Sequence, residues 1–240
     1  VVLTFDIFIS LQITNVIISK MENTENYLRC YKMTYDTGFA PNPYHGVLTL
    51  ATCKPDIRRN AKEGEWIAGF TAKEVFDKNG IKHTGFEKNH KLIYLAKVKY
   101  IMTLGEYWEC DKYKNKRPQN SAQSRNTTKC GCGGSSAKNN IPDTGDNIYK
   151  MVNGELVQQP NGHHNSKETA KHDTRGEFVL ICKEFYYFGV ENAIDVSSVF
   201  QYANSLPRNY KNFSEKEGQG LVNFIKKEYP QRGIIEKHPQ

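Results

Sequence analysis

Three consecutive pieces of sequence decide how this chain folds. They are Asp36-Thr-Gly-Phe-Ala-Pro-Asn-Pro-Tyr-His-Gly46, Leu48-Thr-Leu-Ala-Thr-Cys-Lys-Pro-Asp-Ile-Arg-Arg59 and Gly64-Glu-Trp-Ile-Ala-Gly69. Prolines on both sides of Asn42 and glycines at 38 and 46 make residues 36–46 a shaped loop, not regular structure. Residues 46–52 (GVLTLAT) then read as a short buried strand. Asp56 is placed to cap a short helix running to Ala61, and residues 65–70 return as a strand.

Outward from this block, residues 27–34 (YLRCYKMT) alternate well enough for a strand. Across 91–103 the even positions Leu92, Tyr94, Ala96, Val98, Tyr100 and Met102 are apolar, with Lys91, Lys97 and Lys99 opposite, which predicts one long strand with a wet face. Residues 111–140 gather Lys112, Lys114, Lys116, Arg117, Arg125, Lys129 and Lys138 among small polar residues, with almost nothing to bury, and read as a basic insertion loop. Order resumes at 145–149. The continuous apolar runs 178–182 (FVLIC) and 185–189 (FYYFG) suit strands covered on both faces. Near the C-terminus, Asp195 caps a predicted helix carrying Val196, Val199, Phe200 and Ala203 on one face. Ser214 and Glu217 form a capping box before Leu221, Val222 and Ile225, and Pro230 ends that second helix. There is no internal repeat. The expected fold is α+β: a curved mixed or antiparallel sheet, with a PUA-like partial barrel as one form of it, and a few peripheral helices.

The chain has 240 residues, 38% hydrophobic and 25% charged, which fits a single domain over 21–240 with the insertion inside it. A net charge of +7 favours polyanionic partners, DNA or nucleotides first. Six cysteines without a compact spacing fit reduced thiols and a cytoplasmic location. Residues 1–20 are rich in Val, Ile and Phe but interrupted by Asp6, Gln12 and Asn15. Three readings stay open for them: an overextended reading frame with Met21 as the start, an added strand or helix, or a membrane anchor. A stable membrane association is not expected, because a span would bury Asp6. The phosphate-binding P-loop, the Rossmann glycine fingerprint and the Gly-x-Ser-x-Gly elbow are all missing from the sequence, which removes the common hydrolase and dehydrogenase readings.

Several residues are candidates for chemistry. A stiff loop presenting Asp36, Asn42 and His45 can read the edge of a base or sugar, or can be held by Asx hydrogen bonds that serve only the turn. Lys54, Arg58 and Arg59 at a helix start suit phosphate, or a solvated basic helix face. Cys53 ends an apolar run and reads as a buried, inert thiol. Trp66 reads as core, with base stacking as the alternative. His163, His164, His172 and Asp173 could carry acid–base work, or be surface-loop residues. The spacing of Cys130 and Cys132, even with Cys110, departs from zinc knuckles, so no metal is expected and the cofactor is left open.

In series, Asp36-x-Gly-x-Ala-Pro-Asn-Pro43, Leu48-Thr-Leu-Ala-x-Cys-Lys-Pro-x-Ile-Arg58, Gly64-Glu-Trp-Ile67, Gly145-Asp-Asn-Ile-Tyr149, His163/His164, Asp173 and Val179-Leu-Ile-x-x-x-Phe185-x-Tyr-Phe-Gly189 resemble one bacterial and phage family, the second of the nucleotide-modification-associated domains. The resemblance covers roughly residues 27–195. Gly64-Glu-Trp-Ile is also similar to strand starts in PUA-like barrels that read modified bases. The family resemblance implies a protein that acts on or recognises modified bases, in phages and mobile islands. A non-catalytic PUA-like reader in phage defence or counter-defence is the alternative. The family resemblance implies site residues at Asp36, Asn42, Lys54, Arg58, Asp146, Asn147, His163 or His164, and Asp173. Joined to the reading of the residues themselves, this makes His163, His164, Asp173 and Asp36 the expected catalytic residues, with Asn42, His45, Lys54, Arg58, Trp66, Asp146 and Asn147 expected to bind the nucleotide. Glu65 stands where the family more often has Asp, and the insertion at 111–140 has no counterpart in the pattern.

Overall fold

The structure, a computed structural model, describes residues 26–118 and 145–235. The readings offered for residues 1–20, for 119–140 and for Cys130 and Cys132 lie outside the described residues. The main sheet is mixed. Its path runs β11 (Lys211–Phe213), β1 (Leu28–Asp36), β3 (Trp66–Asp77), β5 (Leu92–Lys97), β10 (Glu184–Tyr187) and β12 (Gly233–Ile234), with β4 (Lys82–His83) paired to β3. β1 and β3 are parallel, and β3, β5 and β10 are antiparallel in turn. A second, antiparallel sheet has the order β2 (Leu48–Leu50), β9 (Phe178–Cys182), β6 (Tyr100–Thr103). β7 (Tyr149–Val152) and β8 (Glu155–Gln158) form a separate hairpin, turned by Asn153 and Gly154 at φ 50° and 85°. Among the described residues four α-helices complete the frame: α1 (Pro55–Asn60), α2 (Leu104–Glu109), α3 (Lys167–Thr174) and α4 (Glu215–Glu228). This is an α+β fold of mixed sheets and a few helices, and the described strands close no barrel. Among the described residues no helix is long and apolar enough to cross a membrane.

Period-two side chains build the layers. On one face of the main sheet, Leu28, Cys30, Trp66, Ala68 and Phe70 pack against Phe213 and against Leu221, Val222 and Ile225 of α4. On the other, Tyr31, Met33, Ile67, Ile93 and Tyr94 meet Leu48, Leu50 and Leu180 of the second sheet and Ile57 of α1. The far face of the second sheet, through Val179 and Ile181, is covered by Leu104, Tyr107, Tyr113 and Tyr149. The capping box expected at Ser214 is present: Glu217 Oε2 accepts from the Ser214 backbone N–H at 2.9 Å.

Four expectations are corrected. Residues 91–103 make two strands. β5 is buried between β3 and β10, and after Val98 the chain leaves the main sheet to pair with β9. The Lys99 N–H already donates to Ile181 O at 2.8 Å, so long-range pairing overrides the local alternation. Residues 195–202 form turns, in which the N–H groups of Val199 and Phe200 both donate to Val196 O at 3.1 and 2.8 Å. Ala203 opens a one-turn 3-10 helix, and Asp195 Oδ1 accepts the Ser197 N–H at 2.8 Å. The insertion does not begin at 111, because Asp111–Lys116 is a 3-10 helix that buries Tyr113 and Lys116. Lys54, not Asp56, is the residue before α1, and no side chain caps that helix.

Two buried polar contacts fix the segment between β1 and β3. Arg29 on β1 grips Glu65 with Nε–Oε2 at 2.7 Å and Nη2–Oε1 at 3.1 Å, both groups nearly excluded from water. Its Nη2 also donates to Asn60 O at 2.7 Å, tying down the end of α1. The Lys116 ammonium donates to Asn42 O at 3.0 Å, Asn42 Oδ1 at 2.7 Å and Val47 O at 2.8 Å, pinning loop 36–47 to itself.

Removing one partner of a buried pair strands the other charge. Glu65→Ala should therefore cost about 3–5 kcal/mol in urea unfolding, while Arg29→Met with Glu65→Leu should cost far less than the two single changes summed. Lys116 supplies a pH signature. Burial pushes its pKa from 10.5 down to about 8, against the attraction of Asp146. The unfolded chain then binds more protons between about pH 8 and 10.5, so this group's contribution to stability rises with pH across that window. Unfolding measured at steps through the window should show the wild type gaining stability relative to Lys116→Met.

Candidate functional site

β2 runs into a turn that few sequences adopt. Cys53 has φ 54° and Lys54 φ 38°, two successive left-handed residues that are not glycine, and Pro55 then starts α1. Such strain persists only where neighbouring contacts over-determine it. Here Arg58 supplies them. Its guanidinium is fully buried and gives Nε to Cys53 O at 2.8 Å, Nη1 to Phe178 O at 2.7 Å and Nη2 to Asp173 O. Gly176 makes room for it, since a Cβ there would come within 2.5 Å of the guanidinium.

The same turn meets a line of side chains. Cys53 Sγ lies 3.5 Å from His164 Nε2, and His164 Nδ1 lies 2.5 Å from Asp173 Oδ2. The other Asp173 oxygen, Oδ1, accepts the Cys53 backbone N–H at 2.7 Å. Tyr149 donates its hydroxyl to Asp173 Oδ2 at 2.9 Å and accepts from Gln158 Nε2 at 2.9 Å. Burial first, and then the Asp173 charge, raise the Tyr149 pKa far above the usual phenol range, so it stays a donor. A carboxylate that accepts from Nδ1–H leaves the Nε2 lone pair facing the thiol. His164 and Asp173 are fully buried, whereas Cys53 is half-buried.

Local structure sets each partner. Asn161 Oδ1 accepts the backbone N–H groups of His163 at 2.9 Å and His164 at 2.6 Å, an Asx turn that aims the second imidazole inward. Phe39 stacks on His163 at 4.3 Å and meets His164 edge-on at 5.0 Å. Asp173 lies in the last turn of α3, a helix opened by a Ser166–Thr169 capping box.

Cys53 lines a cleft of about 440 Å³. Lys32, Lys54, Arg175 and Arg208 contribute positive charge to its wall, against the single carboxylate of Asp56, which Arg175 Nη2 approaches at 3.5 Å. Tyr31, Tyr35 and Phe39 supply aromatic surface. Lys54 Nζ donates to Arg208 O at 2.6 Å and sits 4.3 Å from the Tyr31 ring centre.

Of the residues predicted for the site, Lys54 and His172 line this cleft, and His164 and Asp173 lie fully buried behind it, joined to it through Cys53. His163 is packed on Phe39 behind it. The others occupy different places. Asp36 is buried under Tyr187, whose hydroxyl donates to it at 2.5 Å, and accepts the Val190 N–H at 2.6 Å. Asn42 is buried on Lys116 and bridges to Thr49. His45 is exposed on a turn at φ 60°. Arg58 spends its donors on backbone carbonyls and has none directed at the cleft. Trp66 is 1% exposed in the core. Asp146 accepts from Thr49 at 2.7 Å and Tyr107 at 2.9 Å, and Asn147 donates to Tyr107 O at 2.9 Å, all buried. Cys53, Tyr149 and Gln158 are the members that sequence reasoning missed. The one available signal was a cysteine at a strand-to-helix junction, the position that a strained nucleophile turn takes.

Comparisons with curated proteins and with solved structures return no match. A family model does match, and its span runs past Gly189 to take in the β11–α4 region. Matched over residues 25–239, the chain belongs to the nucleotide modification associated domain 2 family.

Proposed function

We propose that this protein is a thiol-dependent enzyme that modifies a nucleotide or base through Cys53. The observation that carries the reading is the line Cys53–His164–Asp173, in which Cys53 lines a cationic cleft from a strained turn and the other two stand buried behind it. His164 Nε2 takes the Sγ proton as the thiolate attacks an electrophilic carbon. Asp173 fixes the imidazole tautomer and stabilises the imidazolium that forms. The bond from that carbon to its leaving group breaks, the leaving group takes the proton back from His164, and the covalent adduct on Sγ passes to water or an amine. Asp173 Oδ1 on the Cys53 N–H keeps carboxylate and nucleophile in register. Lys54, Arg175 and Arg208 suit the phosphate of the substrate, and Tyr31, Tyr35 and Phe39 its base. Arg58 is a positioning residue.

DNA or nucleotides are the expected partners. A phage or mobile-element setting and a cytoplasmic location follow from the same reading. A thiol nucleophile needs a reducing compartment, and the described cysteines at 30, 110 and 182 are unbridged thiols. A reader without catalysis leaves the strained thiol and its imidazole unexplained. A second reading takes the same three side chains as metal ligands, since their donor atoms lie within 4.8 Å of one another. Against it, the imidazole gives one nitrogen to Asp173 and the other to Cys53, whereas a metal needs one nitrogen converging with both.

Brief iodoacetamide treatment near neutral pH, read by peptide mapping, tests the nucleophile. Cys53 should label faster than the other cysteines, and His164→Ala or Asp173→Asn should slow it about tenfold or more. Turnover on a nucleotide substrate, once one is found, should fall about a hundredfold or more in the same variants and vanish in Cys53→Ser. Labelling of Cys53 that matches Cys110 and ignores His164 would sink the enzyme reading. Stoichiometric zinc binding that protects Cys53 would favour the metal.

A further inference from the structure

The cleft that holds Cys53 does not end at Arg208. A second hollow of about 590 Å³ opens beside it, and Lys32, Thr34, Tyr35 and Arg208 line both. Its far wall is β3, with Lys73 exposed and Phe76 half-buried. Phe76 and Tyr35 stack at 5.4 Å with planes 22° apart, an aromatic pair on the shared wall. Two cations, Lys32 and Arg208, stand at the junction, and Lys73 on the second hollow lies near enough for its charge to act on Lys32. Lys32 Nζ is held by Asn204 O at 3.0 Å, and burial together with the Lys73 charge lowers its pKa. The neighbouring Glu74 is engaged by Lys82 at 3.0 Å, which leaves Glu87 as the other acid on this wall.

We propose that the second hollow is a subsite for the nucleotide next to the one being modified, so that the substrate is a polynucleotide strand and not a free nucleotide. A phosphodiester at the junction meets Lys32, Lys73 and Arg208 at once and relieves the repulsion between the two lysines. The next base then lies against the Tyr35–Phe76 stack. A cationic track interleaved with aromatic rings is how single strands are held without sequence preference. A free nucleotide fills the first cleft and leaves this wall unused. The inference rests on reading the Cys53 cleft as the nucleotide site.

Fluorescence anisotropy with labelled hexathymidylate, competed by thymidine monophosphate, tests it on the full chain. The hexamer should bind about tenfold or more tightly than the monophosphate. Lys73→Ala should remove most of that advantage and lower the salt slope by about 0.7, the contribution of one phosphate contact on a single strand. Phe76→Leu should weaken the hexamer as well. Neither variant should change monophosphate affinity or iodoacetamide labelling of Cys53, which also shows that both are folded. Equal affinity for the two ligands, or hexamer binding unchanged in both variants, overturns the subsite. If length dependence holds while Cys53 shows no selective labelling, the enzyme reading falls and the strand track stands. If neither ligand binds, both fall.

Discussion

A buried guanidinium surrounded by carbonyl oxygens holds this site together. Arg58 reaches the backbone of Cys53, Asp173 and Phe178, so one side chain fixes a turn after β2, the end of α3 and the start of β9 relative to one another. An arginine that gives up its water must find oxygen partners, or the desolvation cost goes unmet. Backbone carbonyls meet that need without neutralising the charge. The geometry of the site therefore depends less on the residues that would react than on one cation behind them, and on Gly176, which leaves it space.

The same logic explains most of the polar residues in the motif series of the sequence. Asp36, Asn42, Glu65, Asp146 and Asn147 each sit in the interior and engage hydrogen-bond partners there. Burial is the first effect on the carboxyls of Asp36 and Asp146 and raises both above the usual carboxylate range, with tyrosine hydroxyls and a backbone or threonine donor opposing it. These groups act as struts. They shape the loop before β2, the start of β3 and the segment before β7.

How much of this was legible beforehand depends on how local the signal is. β1, the 178–189 runs and the Ser214–Glu217 capping box are written in neighbouring residues and can be read one window at a time. The break at Val98 is not, because the pattern across it stays alternating and only pairing with β9 moves Tyr100 into another sheet. The site is harder still. His164 and Asp173 stand out as polar residues in a cluster suited to acid–base work, yet the thiol that His164 meets is 111 positions away. Cys53 carries the composition of an inert core thiol. Its strain comes from backbone angles at a cysteine and a lysine, which no propensity favours, and so it shows only in three dimensions. The polar motif residues run the opposite way: their type suggested contact with a ligand, and the structure finds most of them buried and hydrogen-bonded within the protein.

Parallel pairing of β1 with β3 has a consequence for when the Cys53 turn takes its final geometry. Two neighbouring strands that run the same way require the chain to travel back between them, and residues 37–65 are that return, carrying β2, the strained turn and α1. Cys53 thus rides on the connection itself. The groups that hold it, His164, Asp173 and the Phe178 carbonyl on Arg58, come 111 positions or more later in the chain. On a ribosome, the turn emerges well before those partners, and its geometry is complete only once the chain beyond 178 has been made and packed.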